Sequence, residues 1–199
     1  MNPWKGIKLE DYENHMRDKR VFQLQTLYMI MEEQARTNPR TVAILGVAGG
    51  NGLEHLENAE AIYAVDINED YLRRCWDRYG YLGDKLILVP GDLEVTILPP
   101  CELLMCNLII EYVGIDVFAK FLKRSKFDVA SCVIQKNCGE DFISTSETAE
   151  KLLQLKAVHR DVDEEELLEK VGLNVILRKS YVLPDNKEFI RLDFEGVKV

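Results

Sequence analysis

Short apolar runs recur along the chain with the rhythm of alternating strands and helices. Val42-Ala43-Ile44-Leu45, Ala61-Ile62-Tyr63-Ala64-Val65, Leu86-Ile87-Leu88-Val89, Leu103-Leu104-Met105-Cys106 and Val129-Ala130-Ser131-Cys132-Val133-Ile134 are nearly continuous in apolar residues. They end on a glycine cluster, Asp66, Pro90-Gly91-Asp92, Asn107 and Gln135 respectively. Strands that are apolar on both faces mark a parallel sheet covered by helices. Helix-length stretches lie between or after them at 52–59, 69–79, 115–124 and 146–156. Upstream, 10–36 reads as one helix with Val21, Leu24, Tyr28 and Met31 on one face. Thr37-Asn38-Pro39-Arg40 ends it, because the residue before a proline avoids the helical region. The final third changes character. Glu164 to Val171 predicts an acidic helix closed by Gly172. Residues 174–183 and 188–195 predict strands joined by the turn Pro184-Asp185-Asn186-Lys187. Ile190, Leu192 and Phe194 alternate with polar residues, the period of a strand with one wet face. The fold class is thus α/β, a mostly parallel sheet closed by a C-terminal antiparallel hairpin.

Composition narrows the function. The 199 residues carry 25 Lys and Arg against 34 Asp and Glu, a net charge of −9 that opposes a nucleic-acid partner. The five cysteines form no CxxC pair, which argues against a disulfide framework or a zinc knuckle and fits a reducing, cytoplasmic setting. The chain has neither a leader-like N-terminus nor a long apolar run, so no membrane association is expected. The acidic run from Asp161 to Glu169 lacks the spacing of a calcium loop, and no metal site is expected.

The segment Ile44-Leu45-Gly46-Val47-Ala48-Gly49-Gly50-Asn51-Gly52-Leu53 follows a buried strand and opens a helix-length stretch. Bare backbone lets a ligand approach closely, and a helix N-terminus offers unpaired N–H donors. By itself this is a weak signal, with a tight strand-to-helix turn as the plainer alternative. Asp66 ends the next strand, 20 residues after Gly46. Ligands of open parallel sheets bind outside the carboxyl ends of strands, where a carboxylate accepts ribose hydroxyls. Capping of the next helix by Asp66 or Asn68 is the plainer alternative. Asp92 ends the third strand, placed to accept an adenine N–H with Ile67 and Leu93 flanking the base. Its plainer reading is a turn residue. Three polar positions at three successive strand ends point to an adenosyl group.

Here the chain resembles the class I S-adenosylmethionine-dependent methyltransferases, by motif over roughly residues 41–135 and by architecture in the terminal hairpin. Ala48-Gly49-Gly50-Asn51-Gly52 is similar to the family's glycine loop, with Ala48 where the first glycine is usual and Gly46 where the family often carries an acid for the ligand's ammonium. The resemblance implies a Rossmann-like, mostly parallel seven-stranded sheet with helices on both faces. It implies a helical lid over 1–40 and an α/β domain over 41–199, with S-adenosyl-L-methionine as cofactor and a small-molecule acceptor. The implied cofactor-binding residues are Gly46, Val47, Ala48, Gly50, Asn51, Gly52, Asp66, Ile67, Asp92, Leu93, Asn107 and Leu108. The ammonium falls to backbone carbonyls near Gly46 or Ala48, or to the N-terminal segment. Cys106-Asn107-Leu108-Ile109-Ile110-Glu111-Tyr112 sits where the family's fourth motif lines the transfer region.

Two alternatives stay open. Gly46, Gly49 and Gly52 also read as a nicotinamide-dinucleotide pattern, but Asp66 lies only 14 residues beyond Gly52 where about 20 is usual. A non-catalytic binding module of the same fold is the other. On the acceptor side, Tyr12, Glu13 and His15 lie on the N-terminal helix, and Glu111 and Tyr112 follow the fourth strand. Of these, Tyr12, His15, Glu111 and Tyr112 are the candidate catalytic residues. Their plainer readings are a solvated helix face, a first-turn acid and packing. His55 and His159 are expected at the surface, and the cysteines as small hydrophobes.

Overall fold

The structure, a computed structural model, describes residues 2–196. Its strands are β1 (Thr41–Leu45), β2 (Ala61–Asp66), β3 (Leu86–Pro90), β4 (Cys101–Asn107), β5 (Phe127–Lys136), β6 (Val175–Val182) and β7 (Glu188–Glu195). They form one seven-stranded sheet in the order β3-β2-β1-β4-β5-β7-β6. The first five pair in parallel, while β7 runs antiparallel between β5 and β6. The helices are α1 (Leu9–Arg17), α2 (Gln23–Ala35), α3 (Glu69–Tyr79), α4 (Ile110–Val113), α5 (Ile115–Arg124) and α6 (Glu164–Val171).

The continuous apolar runs are explained by what covers the sheet. In β1, Ala43 and Leu45 face a core completed by Phe118, Phe121 and Leu122 of α5 and Leu167 of α6. Val42 and Ile44 face a second core holding Met31 of α2 and Leu72 and Cys75 of α3. Both faces are dry, so alternation vanishes from the sequence. Cys75, Cys101, Cys106 and Cys132 are buried and Cys138 is exposed. No helix among the described residues is long and apolar enough to cross a membrane.

Several expectations need correction. The single helix over 10–36 is two helices. Asp18 accepts a backbone bond from Arg20, and Phe22 adopts the left-handed conformation at φ 55°, so the chain turns between α1 and α2. The buried stripe of α2 is Gln23, Thr26, Ile30, Met31 and Gln34 rather than Val21-Leu24-Tyr28-Met31, and Tyr28 is exposed. The stretches 52–59 and 146–156 are 3-10 turns, Leu53–Leu56 and Ala149–Ala157, rather than α-helices.

The wet face assigned to 188–195 is dry. Arg191 and Asp193 are each 7% exposed. Arg191 Nη2 donates to Asp193 Oδ2 at 2.6 Å, its Nε donates to Ser131 at 3.1 Å, and Gln34 Nε2 reaches Ser131 at 2.9 Å. A polar stripe on α2 lies against a polar stripe on β5 and β7, and each satisfies the other.

Candidate functional site

The site is built at the carboxyl ends of β1, β2, β3 and β4. After β1 the backbone turns through positive φ at Gly46 (69°) and Ala48 (49°). The Asp66 carboxylate fixes this loop to the end of β2. Its Oδ2 accepts from Ala48 N–H at 2.9 Å and its Oδ1 from Asn68 N–H at 2.9 Å. Burial pushes the carboxyl up from its ordinary range, against the pull of those backbone donors. Ile67 N–H adds to those donors, and the carboxylate keeps acceptor capacity for a ligand. Asn68, not Asp66, caps α3, accepting from Asp70 N–H at 3.0 Å. Its amide also donates to the Trp4 carbonyl at 2.9 Å, tying down the N-terminal segment.

Asp66, Ile67, Asp92 and Leu93 line one cleft, with Gly46 and Ala48 at its loop side and Asn107 and Leu108 at its β4 side. Asp92 is also the turn residue of the plainer reading: its Oδ1 accepts from Glu94 N–H at 3.0 Å. Trp4 roofs the cleft, edge-on to Tyr12 at 5.4 Å and to Tyr112 at 4.8 Å between ring centres. Tyr71, from the buried face of α3, brings a hydroxyl that has no hydrogen-bond partner among the described residues. Asn107 is locked by a reciprocal amide pair with Gln34 at 2.9 and 3.0 Å. Leu108 takes φ 54°, an uncommon conformation for a branched side chain, where the chain leaves β4.

Other expected loop residues stand elsewhere. Val47, Gly50 and Asn51 line a recess on the other side of the loop, which adjoins the cleft through Tyr12, Gly46, Ala48 and Asn107 and also holds Glu13. The Asn51 amide is turned onto the Leu24 carbonyl at 3.1 Å. Gly52 lines neither space. Its φ is 86°, and a Cβ there would meet Met31 side-chain atoms at 3.2 Å, so it is a turn glycine under α2.

A second cavity adjoins the first and shares the walls Tyr12, Leu108 and Tyr112 with it. It also holds His15, Glu111 and His159. His15 is not on a solvated face. It is 4% exposed, its Nδ1 sits 2.7 Å from Ser146 Oγ, and burial, then Lys187, pulls its pKa down to about 4. Glu111 is 2% exposed, and burial pushes its pKa up to about 7. Glu111 Oε1 accepts from Gln135 N–H at 2.8 Å, while Oε2 is buried without a partner among the described residues. His159 is not a surface residue either. It stacks on Phe142 at 3.7 Å, 8° from parallel. His55 is half-buried, edge-on to Tyr28 at 4.6 Å.

Sequence reasoning missed Trp4, Tyr71, Gln135, Phe142 and His159. Tyr71 had a local signal, its place three positions after the Asn68 cap, and Gln135 ended the fifth apolar run. The others arrive through long-range chain returns. Among the described residues no cluster of His, Cys, Asp or Glu is placed to hold a metal.

No protein-family model matches the chain, and no curated protein matches it. Solved structures do. Magnesium protoporphyrin IX methyltransferase from Synechocystis PCC 6803, with bound S-adenosylmethionine, aligns with TM-score 0.71 at 9% identity, covering 98% of this chain and 94% of that one. The 1,6-didemethyltoxoflavin-N1-methyltransferase of Burkholderia thailandensis aligns with TM-score 0.67 at 11% identity over 96% and 84%. The N-methyltransferase NodS of Bradyrhizobium japonicum WM9, in complex with S-adenosyl-L-homocysteine, aligns with TM-score 0.66 at 10% identity over 91% and 90%.

The fold is that of the class I S-adenosylmethionine-dependent methyltransferases. The antiparallel β7 inserted beside β5 separates this methyltransferase fold from the dinucleotide-binding sheet, whose sixth strand continues the parallel order.

Proposed function

We propose that the protein is an S-adenosylmethionine-dependent methyltransferase acting on a small molecule. The observation that carries this reading is the convergence of Asp66 and Asp92 on one cleft beside the Gly46–Ala48 backbone. The residues present suit an adenosyl ligand: Asp66 for the ribose hydroxyls, Asp92 for the adenine amino group, Ile67 and Leu93 for the faces of the base. The unpartnered Tyr71 hydroxyl is a further polar contact awaiting a partner. Gly46 offers no acid to the ammonium, and Glu13, the carboxylate in the recess at the glycine loop, takes that role in this reading.

S-Adenosylmethionine, when bound, supplies an electrophilic methyl group on a sulfonium that accepts the electron pair of the broken carbon–sulfur bond. The protein's task is chiefly to align an acceptor with that carbon, which is worth several kcal/mol of barrier and up to about 7–11 in the best cases. Tyr12, Leu108 and Tyr112 stand between the two cavities and set that alignment. Residues 2–17 cover both cavities, as a lid would. His15, uncharged at neutral pH, and Glu111 lie on the acceptor side. Titration calorimetry tests the reading. S-Adenosylhomocysteine is expected to bind with micromolar affinity, Asp66→Ala to weaken it at least tenfold, and NADH not to bind. Absence of S-adenosylhomocysteine binding overturns it, and NADH binding in its place would favour the dinucleotide alternative.

A further inference from the structure

Among the described residues, the second cavity is lined by one fully buried polar atom without a hydrogen-bond partner. Gln135 is spent, its Oε1 accepting from Gln23 at 2.8 Å and its Nε2 donating to Asn137 at 2.6 Å and to the Phe142 carbonyl at 3.0 Å. His15 is held by Ser146. The nearby Lys187, 1% exposed, is occupied by Ser144 at 2.6 Å and Asp185 at 3.1 Å. Glu111 Oε2 is fully buried and has no partner among the described residues. A buried acceptor is rarely left unmatched, so a donor hydrogen is missing from the cavity. Much of the remaining wall is apolar or aromatic: Met16, Ile143, Leu152 and Leu155 beside the Phe142–His159 stack, with Tyr12 and Tyr112 on the side of the cleft. No Lys or Arg lines it, so nothing there favours an anion.

Building on the methyltransferase reading, we propose that this cavity, about 40 Å³ while residues 2–17 cover it, opens to take an uncharged aromatic acceptor of one or two rings bearing a single ionisable N–H or O–H, with Glu111 as the catalytic base. The ring lies against the Phe142–His159 stack and its N–H or O–H points at Glu111 Oε2. The shared Tyr12–Leu108–Tyr112 wall puts the reacting heteroatom beside the cofactor cleft. The step balances. A bond forms between the acceptor heteroatom and the methyl carbon, the methyl–sulfur bond breaks with its electron pair going to the sulfonium sulfur, and the acceptor proton passes to Oε2 and then to solvent as product leaves.

The electrostatics suit a base working near neutrality. The groups facing Glu111 are Tyr12 and His15 from α1, Tyr112 from α4, and His159 and Asp161 from the segment after Ala149–Ala157. Asp161 adds to the upward push of burial, Lys187 acts on both histidines, and no cation offsets Glu111.

The test is a calorimetric titration of phenol, indole, benzimidazole, 1-methylbenzimidazole and benzylamine into the protein, with and without saturating S-adenosylhomocysteine. Phenol, indole or benzimidazole should bind, and Glu111→Gln should weaken that binding at least tenfold. The variant retains an oxygen for the Gln135 N–H, and its affinity for S-adenosylhomocysteine should stay within twofold, which shows that it folds. 1-Methylbenzimidazole, without an N–H, should not distinguish variant from parent. Where a probe is methylated, kcat should rise with pH through about 7 in the parent and lose that limb in the variant. Failure of all three N–H or O–H rings to bind, preferential binding of benzylamine, or equal ring binding by Glu111→Gln overturns the proposal. Absence of S-adenosylhomocysteine binding alone overturns the cofactor reading, while the titrations without it still report on Glu111.

Discussion

Arg78 grips Glu13 across the glycine loop. From α3 its Nη2 donates to Glu13 Oε2 at 2.8 Å, and its Nη1 also reaches the Gly49 carbonyl at 3.2 Å. The pair lies so close over Gly49 that a Cβ there would collide with it and stand 2.8 Å from Leu9 Cδ2. Gly49 is therefore a glycine for the sake of α1, which brings an acidic and a basic group together at the mouth of the loop.

That pair matches the two charges of an α-amino acid. Glu13→Gln is expected to weaken S-adenosylhomocysteine binding about tenfold, or about 1.4 kcal/mol. It should leave 5′-methylthioadenosine, which lacks the amino-acid end, unaffected. Calorimetry with both ligands reads the difference, and equal weakening of the two would remove Glu13 from the ammonium site.

Asp66 has structural duties besides the ribose contact proposed for it. Asp66→Ala strands the Ala48 and Asn68 N–H groups, each buried donor costing about 1–3 kcal/mol if left unpaired. The variant should lose both ligand affinity and several degrees of melting temperature. Asp66→Asn, keeping one acceptor oxygen, should recover part of the stability.

Glu111 and His15 oppose one another in acid. The folded Glu111 carboxyl sits above its ordinary 4.5, at about 7, so its protonation favours the fold. That contribution is complete below about 4.5 and disappears as pH rises through about 7. The folded His15 sits at about 4 instead of 6.5, so stability from its neutral form is present above 6.5 and lost as pH falls towards 4. Each amounts to about 3 kcal/mol, and between pH 4.5 and 6.5 they largely cancel. Urea titrations should show stability falling with acid in Glu111→Gln and rising with acid in His15→Gln. A pH-independent difference from the parent in both variants would contradict this.

Gln34 holds Asn107 from behind. Gln34→Leu removes the reciprocal amide pair and a partner of Ser131, and is expected to destabilise the fold by about 1–3 kcal/mol. Because Asn107 lines the cleft, affinity for S-adenosylhomocysteine should fall as well. Chemical denaturation and calorimetry check the two effects separately.

The sheet was legible because β1, β2 and β4 are buried on both faces, and the turn residues that end the strands were equally plain. Asp66 and Asp92 were legible as a pair because both stand at carboxyl ends of neighbouring strands, and the structure brings both to one cleft. What stayed hidden depends on polar residues packing against polar residues. Arg191 and Asp193 look solvated in sequence, yet Gln34 and Ser131 complete them. Glu111 looked like a helix first-turn acid. Its isolation is visible only once Gln135 has taken one of its oxygens and the segments bearing Phe142 and His159 have folded back beside it.

Tyr12 borders the cleft, the recess behind the loop and the cavity of Glu111 alike. Evolution or an engineer cannot alter it for one purpose without disturbing the others. Phe142, Ile143, Leu152 and Leu155 border only the cavity of Glu111. They pack in one cluster with Trp4, Tyr12 and Tyr112, so any change to that wall is passed to the cleft through those three rings.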